Sequence, residues 1–248
     1  MINSLLNHKT IRKYTSQAID RLLLNQILEA GTRASTTGNM QVYSVIVTRD
    51  PVMKEKLAPC HFNQPMVKQA PVVLTFCADY NRFNKWCKLS KAEPGYDNFM
   101  SFVCGAIDAV LVAQNVCIAA ESKGLGICYL GTVLYTADKI IDILKLPKGV
   151  VPVATITLGY PAENPEQIDR LPLDAVVHYE TYQDYVDEDI KNMHHIKEQL
   201  PCNITFVKEN NKKSLAQVFT DVRYTKKDNV AFSKVLLEVI QKQGFMNQ

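Results

Sequence analysis

FVCGAIDAVLVAQNVCIAA, residues 102–120, is the longest apolar stretch of the chain and the part of the sequence that most constrains the fold. It lies within a predicted helix over residues 101–122, which Lys123 and Gly124 close. A helix that is apolar nearly all round lies in the middle of a core or in a subunit interface. A lipid-facing helix would poorly tolerate the three polar side chains that interrupt this one, Asp108, Gln114 and Asn115. We therefore expect a buried helix and a homodimer, and no membrane span.

The composition is that of an ordinary folded protein. Of 248 residues, 47% are hydrophobic and 21% are charged, enough for one large domain or two modest ones. The net charge of +3 is too small to indicate a nucleic-acid partner. Seven cysteines are scattered without a Cys-x-x-Cys pair, which favours a reducing cytoplasm over a disulfide framework or a zinc site. Residues 1–13 lack the basic flank and apolar run of a signal peptide.

Short strands and helices surround the long helix in mixed order. β-Branched runs predict strands over residues 42–48, 72–78, 126–131 and 152–158. Apolar spacing and capping residues predict helices over residues 20–33, 50–57 and 136–144. This order is typical of an α+β or mixed α/β sheet protein. After Gly159 prolines punctuate the chain, and the last 60 residues, with possible helices over 186–199 and 231–242, resemble an arm or lid more than a second core.

The common catalytic motifs are absent from the sequence. It contains no dinucleotide-binding Gly-x-Gly-x-x-Gly, no phosphate-binding P-loop, no His-Glu-x-x-His and no Gly-x-Ser-x-Gly. His61 stands alone in a loop and His194-His195 lie in a charged stretch, so solvated positions are favoured over a metal site. Such a chain can still catalyse by binding a cofactor that carries the chemistry.

Four segments could hold a cofactor. His8-Lys9-Thr10-Ile11-Arg12 places three potential cations and a hydroxyl within five residues, suited to a phosphate and the polar edge of a ring. Composition alone favours a solvated basic N-terminus for this run. The other three segments are weaker evidence on their own. Residues 35–39 are typical of an ordinary turn, residues 129–131 of the end of a strand, and Arg170 of a solvated surface side chain.

Taken together and in order, the sequence motifs resemble the nitroreductase-like FMN flavoproteins, and within them the NADPH-preferring branch of oxygen-insensitive nitroreductases and flavin reductases. The matching motifs are HKTIRKYT, RASTTGNMQ, NQPMVKQAP, FCADYNR, AAESKGLGICYLG, LPKGVVPVATITLGYPAENP, DRLP and QKQGF. The resemblance implies an α+β, three-layer fold with a mixed, mostly antiparallel sheet flanked by helices, a long central helix and a C-terminal extension. It implies an FMN-binding core over residues 1–160 and, over 161–248, an arm and helices that complete the core and the active-site entrance within one structural domain.

The resemblance also implies a cofactor site, a reaction and partners. FMN would lie at the dimer interface, and hydride would pass from NADPH or NADH to nitroaromatics, quinones or free flavin in a ping-pong exchange without a catalytic side chain or a metal. The phosphate and ribityl chain would meet His8, Lys9, Thr10 and Arg12, with Arg170 also at the phosphate. The flavin would meet Thr36 and Thr37, and its ring would meet Gln64 and the backbone of Tyr129, Leu130 and Gly131.

Two positions depart from the family pattern. The family usually has arginine at position 9 and lysine at position 168, where this chain has Lys9 and Ile168. Lysine lacks the planar bidentate grip of arginine, so we expect weaker FMN retention than in close relatives.

Several alternatives stay open. The basic residues of the arm could bind the 2′-phosphate of NADPH or could simply be solvated: Lys212, Lys213, Arg223, Lys226 and Lys227. The same fold could perform reductive dehalogenation or flavin fragmentation. A protein of another class, a flavin carrier or redox sensor with little turnover, is the main alternative function.

Overall fold

A four-stranded antiparallel sheet forms the centre of the protein in a computed structural model that describes residues 2–247. Its strands are β1 (Tyr43–Thr48), β2 (Val72–Asp79), β3 (Gly126–Leu130) and β4 (Val150–Gly159), in the order β1-β2-β4-β3. Every residue of β2 and β4 is buried, as expected for the two inner strands. The strand predictions are confirmed to within two residues at each end.

The described residues also form eleven α-helices. They are α1 (Ile2–Leu6), α2 (Arg21–Gly31), α3 (Pro51–Leu57), α4 (Pro65–Gln69), α5 (Asn81–Leu89), α6 (Phe99–Ser122), α7 (Ala137–Leu144), α8 (Asp187–Gln199), α9 (Pro201–Glu209), α10 (Leu215–Val218) and α11 (Lys226–Lys242). Short 3-10 turns lie at Thr37–Asn39, Ala58–His61, Gly131–Leu134 and Leu173–Ala175, and a π-helical turn at Phe219–Arg223.

Hydrophobic cores lie on both faces of the sheet. Because side chains alternate along a strand, Leu74 packs in one core and its neighbour Val73 in the other. The larger core contains residues of α2, α6 and α11, and the smaller one contains residues of α3, α4 and α7. Helices on both faces of an antiparallel sheet give three layers, which confirms the predicted fold class.

Helix α6 is buried on one face only. The Asn98 side chain caps it by accepting a hydrogen bond from the Ser101 amide. Its inner face packs against β2, β4 and α2. Its outer face exposes large apolar side chains, among them Met100, Ile107, Val110 and Leu111. By length and composition alone, α6 is the one described helix that could cross a membrane, a test that core helices also pass. The predicted burial therefore holds for its inner face.

The chain divides into two compact units. One comprises Met1–Gln167 with Phe232–Gln248, and the other Ile168–Ala231. The end of the chain belongs to the first unit, where Val239, Ile240 and Phe245 are buried in the larger core. The second unit contains α8, α9 and α10, and buries Leu215 and Val218. The division at residue 160 into a flavin-binding core and an arm stays a prediction.

Candidate functional site

The N-terminal run lies along the outer edge of β3. Thr10 pairs with Ile127 in a parallel bridge, and the Ile11 amide donates to the Ile127 carbonyl at 2.9 Å. Gly126 permits this approach, since a Cβ there would lie 2.6 Å from Ile11 Cγ1. The backbone from His8 to Arg12 is thereby fixed beside the sheet, in contrast to the solvated tail that composition alone favours.

Two of the three cations in this run have side-chain partners. His8 Nδ1 lies 2.5 Å from Glu121 Oε1, at the end of α6. Lys9 Nζ donates to Asn164 Oδ1 at 2.9 Å. Arg12 is exposed, and no acceptor among residues 2–247 pairs with its guanidinium. Arg12 is therefore the cation most available to an anion.

Glu163 holds the backbone on which Arg12 stands. Its Oε1 accepts the Arg12 amide at 2.6 Å and the Lys13 amide at 3.0 Å. This segment lines a cleft of about 770 Å³ together with Pro65, Met66 and Gln69 of α4. The cleft brings the arginine close to the helix that Gln64 begins.

The end of β3 offers open backbone. Leu130 is buried and Tyr129 is partly exposed, and the chain turns at Gly131 into a 3-10 turn. Burial raises the pKa of the Tyr129 phenol, which keeps it protonated. A Cβ placed on Gly131 would meet no atom within 4 Å, so a flat ligand has room beside this backbone.

A buried histidine joins the Gln64 turn to the Gly131 turn. His61 Nδ1 lies 2.8 Å from Thr132 Oγ1, and the Thr136 hydroxyl donates to the Cys60 carbonyl at 2.7 Å. His61 is 0% exposed and its Nε2 has no partner among the described residues. Desolvation by burial lowers the pKa of His61 to about 4, so it is neutral near pH 7. The interpretation of His61 as a solvated loop residue is wrong, because its neighbours come from a turn 71 residues later.

The Thr36-Thr37 loop is held by a buried carboxylate of α6. Asp108 Oδ1 accepts the Thr37 amide at 2.9 Å and the Thr37 hydroxyl at 3.3 Å, and Oδ2 accepts the Val42 amide at 3.3 Å. Asp108 is 1% exposed. In the sequence Asp108 shows only as an interruption of an apolar helix, and that interruption is the available signal for its role.

Apart from Arg170, the residues predicted to contact FMN fall into two groups within one chain. Asp108, which holds the Thr37 loop, and Glu121, which holds His8, are thirteen residues apart on α6, or about 20 Å along the helix. The His8 group also includes Thr10, which pairs with β3, and the backbone from Tyr129 to Gly131 at the end of that strand. Arg12, which lines the cleft, and Gln64, which begins the helix on its other side, belong to the same group.

Arg170 belongs to the second compact unit. Its Nη1 donates to the carbonyls of Ile168 and Asp169, at 3.2 and 2.9 Å, and Ile168 itself is exposed. Two basic residues of the arm also have partners within that unit. Lys212 Nζ lies 2.9 Å from Asp221 Oδ2, and the Arg223 guanidinium lies 4.6 Å above the Phe206 ring.

Comparison with known proteins gives consistent matches. Residues 5–160 match the model of the nitroreductase family. The chain is 36% identical over 189 residues to the FMN reductase (NADPH) of Bacillus subtilis, covering 75% of this chain and 76% of that protein. It is 35% identical to the oxygen-insensitive NADPH nitroreductase of Salmonella typhimurium, covering 73% and 74% of the two chains. A crystal structure from Bacteroides fragilis superimposes with a TM-score of 0.97 at 57% identity, over 99% of this chain and 100% of that one. The chain therefore belongs to the nitroreductase family.

Proposed function

We propose that this protein is an FMN-dependent NAD(P)H oxidoreductase that reduces nitro compounds, quinones or free flavin. For a quinone, NAD(P)H and one proton give NAD(P)⁺ and the hydroquinone, a transfer of two electrons. The observation that carries the proposal is that the run from His8 to Arg12 is fixed along β3, the strand that leads directly into the open backbone at Gly131. Relatives at 35 and 36% identity are named for FMN and nitro reduction.

The residues present fit FMN. Arg12 offers an exposed guanidinium for the phosphate, Lys9 adds positive charge in the same run, and the His8 ring adds a polar group. The open face at Gly131 leaves room for a flat ring, and Gln64 offers an amide near the same turn. When bound, FMN supplies a ring that takes up two electrons and passes them on. The chain's own residues bind the cofactor and orient it.

Thr36, Thr37 and Arg170 complete the proposed set of contacts. The two threonines would reach the flavin from the loop that Asp108 holds, and Arg170 would reach the phosphate. Lys9, already bonded to Asn164, gives a weaker grip than arginine would. We therefore expect Lys9→Arg to lower the Kd for FMN, measured by titrating apo-protein with FMN. A submicromolar Kd in the unchanged protein would contradict the expected weak retention.

A homodimer would complete the site. The outer face of α6 exposes Met100, Ile107, Val110 and Leu111, an apolar stripe of the kind that subunit interfaces bury. The separation of about 20 Å between the Asp108 and Glu121 anchors also favours a site shared by two copies, one providing the His8 group and the other the Thr36-Thr37 loop. The seven free cysteines fit a reducing compartment, and we propose the cytoplasm.

Absorption and turnover test this proposal together. The purified protein, supplied with FMN, should show the absorption of a bound flavin, and should oxidise NADPH or NADH when menadione or a nitrofuran is added. The ratio of kcat/KM for NADPH and NADH tests a 2′-phosphate site on the arm, which equal values would exclude. A yellow protein without turnover would indicate a flavin carrier or redox sensor. A colourless protein whose addition leaves the FMN spectrum unchanged would contradict the whole proposal.

A further inference from the structure

Three aromatic rings gather beside the turns of Gln64 and Gly131. Tyr135 and Phe232 stack closely, with ring centroids 4.4 Å apart and planes inclined by 16°. Phe62 lies against both, with centroids 6.2 Å from Tyr135 and 6.3 Å from Phe232. Phe62 is nevertheless 53% exposed, so much of its ring faces solvent over a base of two other rings. We call these three residues the aromatic platform.

The backbone at Phe62 is in an unfavourable conformation. Its φ is +55°, and that of the following Asn63 is +54°, in the left-handed region. Asparagine tolerates this region, whereas a bulky residue such as phenylalanine rarely occupies it. Strain of this kind is concentrated at ligand clamps and active sites. Burial does not explain why a large ring is held here, because half of it is exposed.

The platform is tied to both turns that would meet the flavin ring. Phe62 directly follows His61, whose Nδ1 lies 2.8 Å from Thr132 Oγ1, and Thr132 directly follows Gly131. Gln64 is two residues after Phe62, and its amide donates to the His61 carbonyl at 3.1 Å. Phe62 therefore lies in a segment that is bonded directly to the turn beginning at Gly131, where the backbone is open.

We propose that the aromatic platform, through the exposed ring of Phe62, stacks against planar aromatic electron acceptors and makes the enzyme prefer them to non-aromatic ones. This rests on the proposed oxidoreductase function and adds a residue that selects the second substrate. An offset ring pair contributes about 0.5–1.5 kcal/mol beyond area burial, or about 2- to 12-fold in affinity. A neutral quinone or nitroarene gains from stacking alone, whereas a dinucleotide also needs cations for its phosphates.

The kinetic test compares two acceptors in the holoenzyme. Menadione takes two electrons and two protons, supplied by NADPH and one solvent proton. Two ferricyanide ions take one electron each from NADPH and leave one proton in solution. Phe62→Leu keeps an apolar side chain but removes the π face. We expect it to lower kcat/KM for menadione by about 3- to 10-fold and to leave that for ferricyanide within about twofold. Phe62→Tyr should restore the menadione value.

The matched control is Trp86→Leu. Trp86 is a comparably exposed aromatic residue at 61%, packed edge-to-face on Phe83 with centroids 5.4 Å apart and outside the platform. This variant should keep both acceptor values. An equal loss for both acceptors in Phe62→Leu, or an equal loss of menadione activity in Trp86→Leu, would overturn the proposal. So would dissociation into monomers or loss of FMN in Phe62→Leu, since the ring would then serve assembly or cofactor retention.

A binding measurement separates this inference from the proposed function. Isothermal titration with naphthalene-2-carboxamide, which is planar and accepts no electrons here, should give a Kd about 3- to 10-fold weaker for Phe62→Leu than for the unchanged protein. Cyclohexanecarboxamide should bind both equally weakly. If neither acceptor supports NAD(P)H oxidation, the proposed function fails, and the titration still decides whether the platform binds planar rings. Equal Kd values for naphthalene-2-carboxamide would refute the platform even in an active enzyme.

Discussion

Removing the Asp108 carboxylate should both destabilise the protein and loosen the Thr36-Thr37 loop. In Asp108→Ala the Val42 amide, fully buried, loses its acceptor, which costs about 1–3 kcal/mol. Thr37 is exposed, so water replaces the carboxylate there, and each of its two lost bonds costs about 0.5–1.5 kcal/mol. We expect a total of about 2–6 kcal/mol, at the high end of single substitutions. Asp108→Asn keeps one acceptor oxygen for Thr37, but its NH2 group, a donor, would face the Val42 N–H, which is also a donor. This variant should cost about half as much.

Urea unfolding measures this loss. With an m-value of about 3 kcal/mol/M, the midpoint of Asp108→Ala should fall by about 0.7–2 M. Protein and FMN concentrations are kept constant, because both dimerisation and FMN stabilise the folded state. Asp142, an exposed acid on α7, provides the control, and Asp142→Ala should change stability by less than about 0.5 kcal/mol. An unchanged midpoint in Asp108→Ala, or a larger loss in Asp108→Asn than in Asp108→Ala, would refute the reasoning.

Three further variants test other parts of the structure. Burial lowers the pKa of His61 from 6.5 to about 4, so the unfolded chain takes up a proton at this histidine before the folded chain does as the pH falls. The stability that the neutral histidine contributes is therefore fully present above pH 6.5 and is lost towards pH 4. Unfolding measured at pH 7 and pH 5 should show a loss about 2 kcal/mol larger for the unchanged protein than for His61→Gln. Gly126→Ala should cost about 1–3 kcal/mol and weaken FMN binding, because its methyl group would overlap Ile11; urea unfolding and FMN titration measure both. Leu111→Glu places a charge in the outer stripe of α6, and sedimentation should show a monomer with lowered FMN affinity.

Each of these variants has a control and a contrary outcome. A parallel pH dependence in His61→Gln would mean that other groups cause the loss. Gly95→Ala adds a methyl group that meets no atom within 4 Å and should be neutral, so an equal loss there would remove the steric argument. Val52→Glu changes another exposed apolar residue, on α3, and should stay dimeric. A dimeric Leu111→Glu with normal FMN affinity would contradict the shared site.

Features with a local signal could be predicted from the sequence. The β-branched runs gave the strands, because residues of this type favour an extended chain over four to eight positions. Aspartate is a favoured residue immediately before a helix, and the Asp20 carboxylate accepts the amides of Leu22 and Leu23 at the start of α2. Pro51 opens α3 as expected for the first helical turn. The short helix α4 was not predicted, since five residues contain too few turns to display an apolar period.

The contacts that hold the candidate site are long-range, and for this reason they could not be predicted. The Asp108 bond to Thr37 joins residues 71 apart, and so does the His61 bond to Thr132. Nothing in the neighbourhood of either residue specifies such a partner. The ordered motifs indicated where a flavin would bind, but not that an acid of the central helix and a buried histidine would hold the loops that meet it.

The N-terminal run also covers a vulnerable part of the sheet. The outer edge of β3 would otherwise present unpaired backbone groups, and such edges template pairing between molecules. Thr10 and Ile11 occupy part of this edge through the bridge to Ile127. A ligand that steadies the same run would then also protect against aggregation. Flavin supplied during expression and storage should consequently raise the yield of dispersed protein, apart from any effect on turnover.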